Sequence, residues 1–131
     1  MTGVADTRLL LTLEFPPTEE IKVKSVDLFQ KESARGLLAP SIVLTEFVKI
    51  AGAKLGENAA MTRIRLLKDR GMRIKSLDES EALSAGHMLL SHREVPIADT
   101  LIAAIVKTGA AEYVLTDDPH FQMLGIKTKW L

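Results

Sequence analysis

The sequence holds no cysteine among its 131 residues. Disulfides and thiolate-held metal sites are therefore excluded, and a reducing compartment suits such a chain. Aromatic residues are almost as scarce, at 5% against 47% hydrophobic overall. The core must be aliphatic, which favours an α/β or all-α packing of Leu, Ile, Val and Ala. No stretch approaches the roughly eighteen uninterrupted apolar residues of a membrane span. The N-terminus carries neither the basic n-region nor the long apolar run of a signal peptide. The expectation is a soluble, cytoplasmic protein with no membrane partner. Net charge is missing too: 17 Lys and Arg balance 17 Asp and Glu, so bulk charge does not point to nucleic acid.

What the sequence does have is an alternating order. Its length suits one domain over 1–131 with its own core, and no repeat, low-complexity stretch or linker divides it. Gly3-Val4-Ala5 reads as a short strand, and Thr7 to Phe15 as a helix stopped by Pro16-Pro17. Residues 18–34 are helical, with Ile21, Val26, Leu28 and Phe29 facing inward until Gly36 ends the run. Leu37-Leu38-Ala39 is a second strand. Ser41 is a plausible N-cap for a helix over 42–55 closed by Gly56, and 58–70 forms another helix capped by Gly71. Met72 to Leu77 is strand-like, and Asp78-Glu79-Ser80-Glu81 opens a helix with acids where the helix dipole favours them. A helix over 97–108 comes after Pro96, then the buried strand Tyr113-Val114-Leu115 and a final alternating strand over 126–130. Strands separated by helices imply crossover units and a parallel sheet with helices on both faces.

Sheets of this kind bind their ligands outside the carboxyl ends of the strands. Asp6 comes directly after the first strand, and Asp117-Asp118 directly after Tyr113-Val114-Leu115-Thr116. Asp99 lies in the first turn of an otherwise apolar helix, and Glu46 on the helix after the second strand. Carboxylates gathered at one rim repel one another unless a cation neutralises them. Hard oxygen ligands select Mg²⁺, Mn²⁺ or Ca²⁺ over zinc. A pair of such ions, roughly 3.5–4 Å apart, activates a water and stabilises the leaving oxygen of a phosphodiester. Each acid also has an ordinary explanation. Asp6 could N-cap a helix, Glu46 could be solvated, Asp99 could serve the helix dipole, and Asp117-Asp118-Pro119 could be a turn.

Charge is also unevenly spread. Residues 63–75 carry six Lys or Arg against Asp69 alone, net +5, leaving −5 elsewhere. Arg63, Arg65 and Lys68 are the candidates for phosphate contacts beside an acidic site; the ordinary reading is a solvated helix face running into a strand. His87, His92 and His120 show no metal-ligand spacing on a common helix face, and without cysteine a zinc site has little support. Nucleophile-elbow and phosphate-loop patterns are absent.

Together the acids and their neighbours resemble the PIN-domain nucleases, particularly the short VapC-like toxins of prokaryotic toxin–antitoxin pairs. The likeness covers nearly the whole chain. Val4-Ala5-Asp6-Thr7 before a Leu-rich helix is similar to the opening motif, and Pro40-Ser41-Ile42-Val43-Leu44-Thr45-Glu46-Phe47 to the second. Ile97-Ala98-Asp99-Thr100-Leu101-Ile102-Ala103-Ala104 resembles the third motif almost letter for letter. Val114-Leu115-Thr116-Asp117-Asp118-Pro119-His120-Phe121 resembles the fourth, a Thr-x-Asp pattern before Phe.

The resemblance implies a three-layer α/β/α fold around a five-stranded parallel sheet, and a Mg²⁺- or Mn²⁺-dependent endoribonuclease. It implies Asp6, Glu46, Asp99 and Asp118 as catalytic metal ligands, with Asp117, at the cleft edge, a further candidate metal ligand and Thr116 supporting through its hydroxyl. RNA as substrate, homodimers and an antitoxin partner in the active-site groove are implied as well. Two positions depart from the pattern: Arg8 replaces a residue that is more often small and polar, and Asp117 one that is frequently basic. The alternative in another class is a catalytically inert PIN-fold module that binds RNA or protein. A phospho-acceptor receiver would want an acidic pair after the first strand, where this chain has Asp6 alone.

Overall fold

A computed structural model describes residues 1–131. Its strands are β1 (Gly3–Ala5), β2 (Leu38–Pro40), β3 (Arg73–Lys75), β4 (Tyr113–Leu115) and β5 (Thr128–Lys129). The helices are α1 (Thr7–Glu14), α2 (Glu19–Ala34), α3 (Ser41–Leu55), α4 (Glu57–Asp69), α5 (Glu79–Ser91), α6 (Ile97–Lys107) and α7 (His120–Met123). All strand pairs are parallel, in the order β3-β2-β1-β4-β5. The chain steps outward from β1 to β3 through α1–α4, then returns across the sheet to β4 through α5 and α6. Right-handed crossovers put these two groups of helices on opposite faces, giving the three-layer α/β/α architecture.

The strands' composition reflects their place. In β1 and β4 every residue is buried, so both are continuous apolar runs rather than alternating ones. The edge strands β3 and β5 carry Arg73, Lys75 and Lys129, which blunt the open edges against further pairing. The core is one cluster of 28 buried hydrophobic residues, mostly aliphatic, with Phe47 and Phe121 its largest fully buried members.

Local chemistry sets the helix ends. Thr18 caps α2 by accepting from Ile21 N at 3.1 Å. Asp78 and Glu81 form a reciprocal capping box on α5, the N-terminal signature of an acid with Glu three residues on. The expected cap at Ser41 is absent: α3 begins at Ser41 itself after Pro40, with no side-chain cap. Proline has no N–H to satisfy and its fixed φ leads directly into the helix. The second strand correspondingly lies at 38–40 rather than 37–39. Gly71 closes α4 with φ +111°, a conformation side-chain-bearing residues rarely adopt.

The site lies at the reversal of strand order. From β1 the chain leaves toward β2, and from β4 toward β5, so a crevice opens between the carboxyl ends of these two neighbours. Gly3, Val4 and Ala5 pair in register with Tyr113, Val114 and Leu115. The residues just beyond the two strands, Asp6 after β1 and Thr116 after β4, therefore meet at the crevice.

Candidate metal centre

Asp6 is 3% exposed. One of its oxygens accepts from Thr7 N at 2.8 Å, capping α1, and the other from the Thr116 hydroxyl at 2.7 Å. Capping is thus compatible with a place at the rim. Burial pushes the Asp6 carboxyl up to about 6, helped by the charges of Asp99 and Asp118 and opposed by the hydrogen bonds from Thr116 and Thr7. Asp99 reaches the same place from the first turn of α6. It too is raised to about 6, first by burial, then by Asp118 and Glu46, against the pull of His120. These acids repel one another at one locus.

Thr116 joins the parts. While donating to Asp6, its oxygen accepts from Asp118 N at 3.0 Å, which folds the chain after β4 back over the rim. Asp118 Oδ1 in turn accepts from His120 N at 2.9 Å. Glu46, from α3, accepts from the Thr7 hydroxyl at 2.6 Å. Asp6, Glu46, Asp99 and Asp118 are therefore linked through hydrogen bonds or direct charge coupling into one cluster. Asp117 turns away and pairs with Arg8 Nε, both side chains about half exposed at 42% and 53%. The two departures from the family pattern thus compensate each other: a basic residue on α1 and an acid after β4 form one ion pair at the cleft edge.

One residue of the cluster has no counterpart among the sequence-derived candidates. His120 Nδ1 stands 3.0 Å from Asp99 Oδ2 and 3.0 Å from Asp118 Oδ1. Histidine spacing along helices could not reveal it, because its partners come from a turn and from another helix. The available signal was the Asp118-Pro119-His120 sequence directly after a buried strand, where a tight turn brings side chains two residues apart together.

The basic residues do not gather as expected. Arg63 lies against Glu14 at the far end of α1, Nε to Oε1 3.0 Å. Arg65 and Lys68 instead line a groove of about 780 Å³ with Leu44, Met61, Ile64 and Ile74. Within α4 the turn of the helix separates Arg63 from Arg65, because residues two apart on a helix point about 200° apart. A smaller groove of about 260 Å³ carries Arg8 and Lys54 between α1 and α3, with Leu11, Thr12, Phe15 and Ile50.

A family model described as PIN domain matches residues 5–127. The chain belongs to the PIN domain family. Among solved structures, this PIN domain is similar to the Mycobacterium tuberculosis toxin VapC20, a Sarcin-Ricin loop cleaving toxin, with TM-score 0.78 and 15% identity over 95% of this chain and 96% of that one. It is similar also to DNA-bound VapBC from Salmonella typhimurium, with TM-score 0.77 and 20% identity over 99% and 98%. FitAcB from Neisseria gonorrhoeae gives TM-score 0.72 and 19% identity over 97% and 96%. At such identities the likeness is one of fold. No curated protein sequence matches the chain significantly.

The donor set of this PIN domain fits a divalent cation. Ligand atoms of Asp99, Asp118 and His120 lie within 4.8 Å of one another, and Asp6 and Glu46 add carboxylates to the same field. Oxygen-rich sites of this kind suit Mg²⁺ or Mn²⁺.

Proposed function

We propose that this PIN domain is a Mg²⁺- or Mn²⁺-dependent endoribonuclease of the VapC toxin type. The observation that carries the reading is geometric: ligand atoms of Asp99, Asp118 and His120 lie within 4.8 Å of one another, and Thr116 ties Asp6 to the same crevice. Bound there, a divalent ion supplies an activated water and charge stabilisation for a leaving phosphodiester oxygen. Asp6, Glu46, Asp99 and Asp118 would hold it. Thr116 orients Asp6 by its hydroxyl and fixes the turn carrying Asp118; Thr7 does the same for Glu46. An acidic site repels RNA, so basic groups must offset it. Arg8 stands beside the cluster, in a groove that runs along α1 to Lys54 over Phe15, and Arg65 and Lys68 stand on another. Arg63, held by Glu14, is the least available of the three candidates from α4.

Protein partners belong to the same reading. A similar solved structure from Klebsiella pneumoniae is a toxin-antitoxin complex, which supports an antitoxin partner for this chain. Leu83 and Leu90, on one face of α5, are 68% and 71% exposed, with Ile97 at 65%. They supply apolar area for a second copy, in line with the expected homodimer. No helix is long and apolar enough to cross a membrane.

The test is cleavage of single-stranded and structured RNA in Mg²⁺, Mn²⁺ or chelator, with Asp99→Asn alongside. Metal-dependent cleavage that the variant loses supports the reading. RNA binding without cleavage in any metal would favour the inert binding module instead.

A further inference from the structure

We propose that His120 is a nitrogen ligand of this site: its Nδ1 joins Asp99 and Asp118 on the divalent cation and biases the centre toward Mn²⁺ and neighbouring transition metals over Mg²⁺. This rests on the metal-dependent reading above and adds a ligand and a selectivity to it.

The geometry comes first. Nδ1 is 3.0 Å from one oxygen of Asp99 and 3.0 Å from one oxygen of Asp118. Two ligands at right angles on an octahedral ion with arms of about 2.1 Å stand about 3.0 Å apart. Each nitrogen–oxygen pair therefore already has the spacing of neighbouring corners around one ion, and all three atoms lie within 4.8 Å of one another. As hydrogen bonds, the two contacts share the single proton a ring nitrogen can carry. A cation serves all three donors at once.

The imidazole is also held in place. His120 N donates to Asp118 Oδ1 at 2.9 Å, and the next residue, Phe121, is wholly buried in the core. The backbone of His120 is thus fixed from both sides, while its side chain remains 35% exposed toward the cleft. The other two histidines lie elsewhere, on α5 and at its end: His87 is exposed, and His92 has its Nδ1 3.3 Å from Met88 O. Neither belongs to the acidic cluster.

Chemistry supplies the selectivity. Imidazole nitrogen suits transition metals, whereas Mg²⁺ is bound through oxygen and keeps several waters. An all-carboxylate centre would separate the two ions weakly. One nitrogen among the oxygens tilts the balance, since it strengthens Mn²⁺ binding and offers Mg²⁺ little.

Pulsed electron paramagnetic resonance of Mn²⁺ on the full chain tests this without needing activity. The wild-type spectrum is expected to show a ¹⁴N coupling from a directly bound imidazole. It should vanish in His120→Ala and in His120→Gln, with Mn²⁺ affinity down about tenfold and Mg²⁺ affinity nearly unchanged by calorimetry. Mn²⁺ bound to wild type and lost in Asp99→Asn, but without any ¹⁴N coupling, would overturn the histidine ligand and leave the metal site standing. Equal losses for both ions in the His120 variants would overturn the selectivity. No Mn²⁺ binding by wild type at all would sink the metal-dependent reading and this inference with it.

Discussion

Two buried acidic regions sit at opposite ends of β1 and β4, and they are treated differently. Where the strands begin, Glu32 of α2 is fully buried but well partnered. It accepts from the Tyr113 hydroxyl, from Lys129 Nζ at 3.0 Å, and lies 3.6 Å from Arg35. Gly3 makes room for this: a Cβ there would stand 2.7 Å from the Tyr113 ring and 2.9 Å from Glu32 Oε1. Where the strands end, Asp6 and Asp99 are buried among further acids. Arg8, the nearest arginine, is engaged with Asp117 at the edge. A carboxylate kept for the fold is supplied with cations by the chain itself. A cluster left short of positive charge is arranged for a cation from outside.

The largest expected contrast separates activity from stability. Asp99→Asn should lower RNA cleavage by at least about 100-fold, equivalent to roughly 2.7 kcal/mol of barrier, while leaving circular dichroism unchanged. Glu32→Gln should do the reverse. It removes the charge facing Lys129 and Arg35 and should cost about 1–3 kcal/mol in urea unfolding, discounted because both cations are partly exposed. Cleavage by the folded fraction should persist. A Glu32 variant that is stable but inactive would erase the distinction between the two ends.

A pH titration probes the same contrast. Asp6 and Asp99 stand at about 6 when folded, against an ordinary 3.8. Between those values the folded chain binds more protons than the unfolded one, so their contribution to stability falls as pH rises from about 4 to 6. It stays unfavourable above that, by at most about 3 kcal/mol for Asp6. Metal-free wild type should therefore gain stability relative to Asp6→Asn as pH drops from 7 to 5. A constant difference across that range would show that Asp6 is not strained by burial.

Smaller effects probe the support around the acids. Thr116→Val keeps the shape but removes the donor to Asp6 and the acceptor for Asp118 N. Metal affinity should fall about tenfold, as for other residues that orient ligands, measured by calorimetry. The smallest difference concerns RNA. Charge reversal at Arg65 should reduce the salt slope of log K by about 0.7–0.9, the loss of one phosphate contact. Reversal at Arg63 should change it less, since Glu14 already engages that side chain.

The sequence is most legible at element ends, where the candidate acids lie. Asp6, Glu46, Asp99 and Asp118 stand out because each lies just past or beside a recognisable strand or helix start, and the parallel topology then gathers such ends at one rim. The five strands and the long helices are visible from apolar runs broken by Gly36, Gly56, Gly71 and Gly109. The features without a sequence signal depend on tertiary placement. Glu32 sits in a helix of mixed polarity with nothing local to mark it, because its burial is decided by Gly3, Tyr113 and Lys129, each far away in sequence. His120 belongs to α7, only four residues long, too short for any periodicity to announce it. For the basic stretch, local charge density does not show how the turn of a helix divides it, which sends Arg63 and Arg65 to different grooves.

On the proposed reading, a divalent cation relieves the strained rim acids at neutral pH. The decisive measurement is thermal unfolding of wild type and Asp99→Asn at neutral pH, each in chelator and in saturating Mn²⁺. Asp99→Asn is expected to melt higher than wild type in chelator, and Mn²⁺ to raise the wild-type Tm far more than that of the variant. Binding at a hundred times Kd contributes about 2.7 kcal/mol, a shift of several degrees for a chain of this size. A wild-type Tm indifferent to Mn²⁺, with Asp99→Asn melting lower in chelator, would show that these acids hold no cation and are not strained without one.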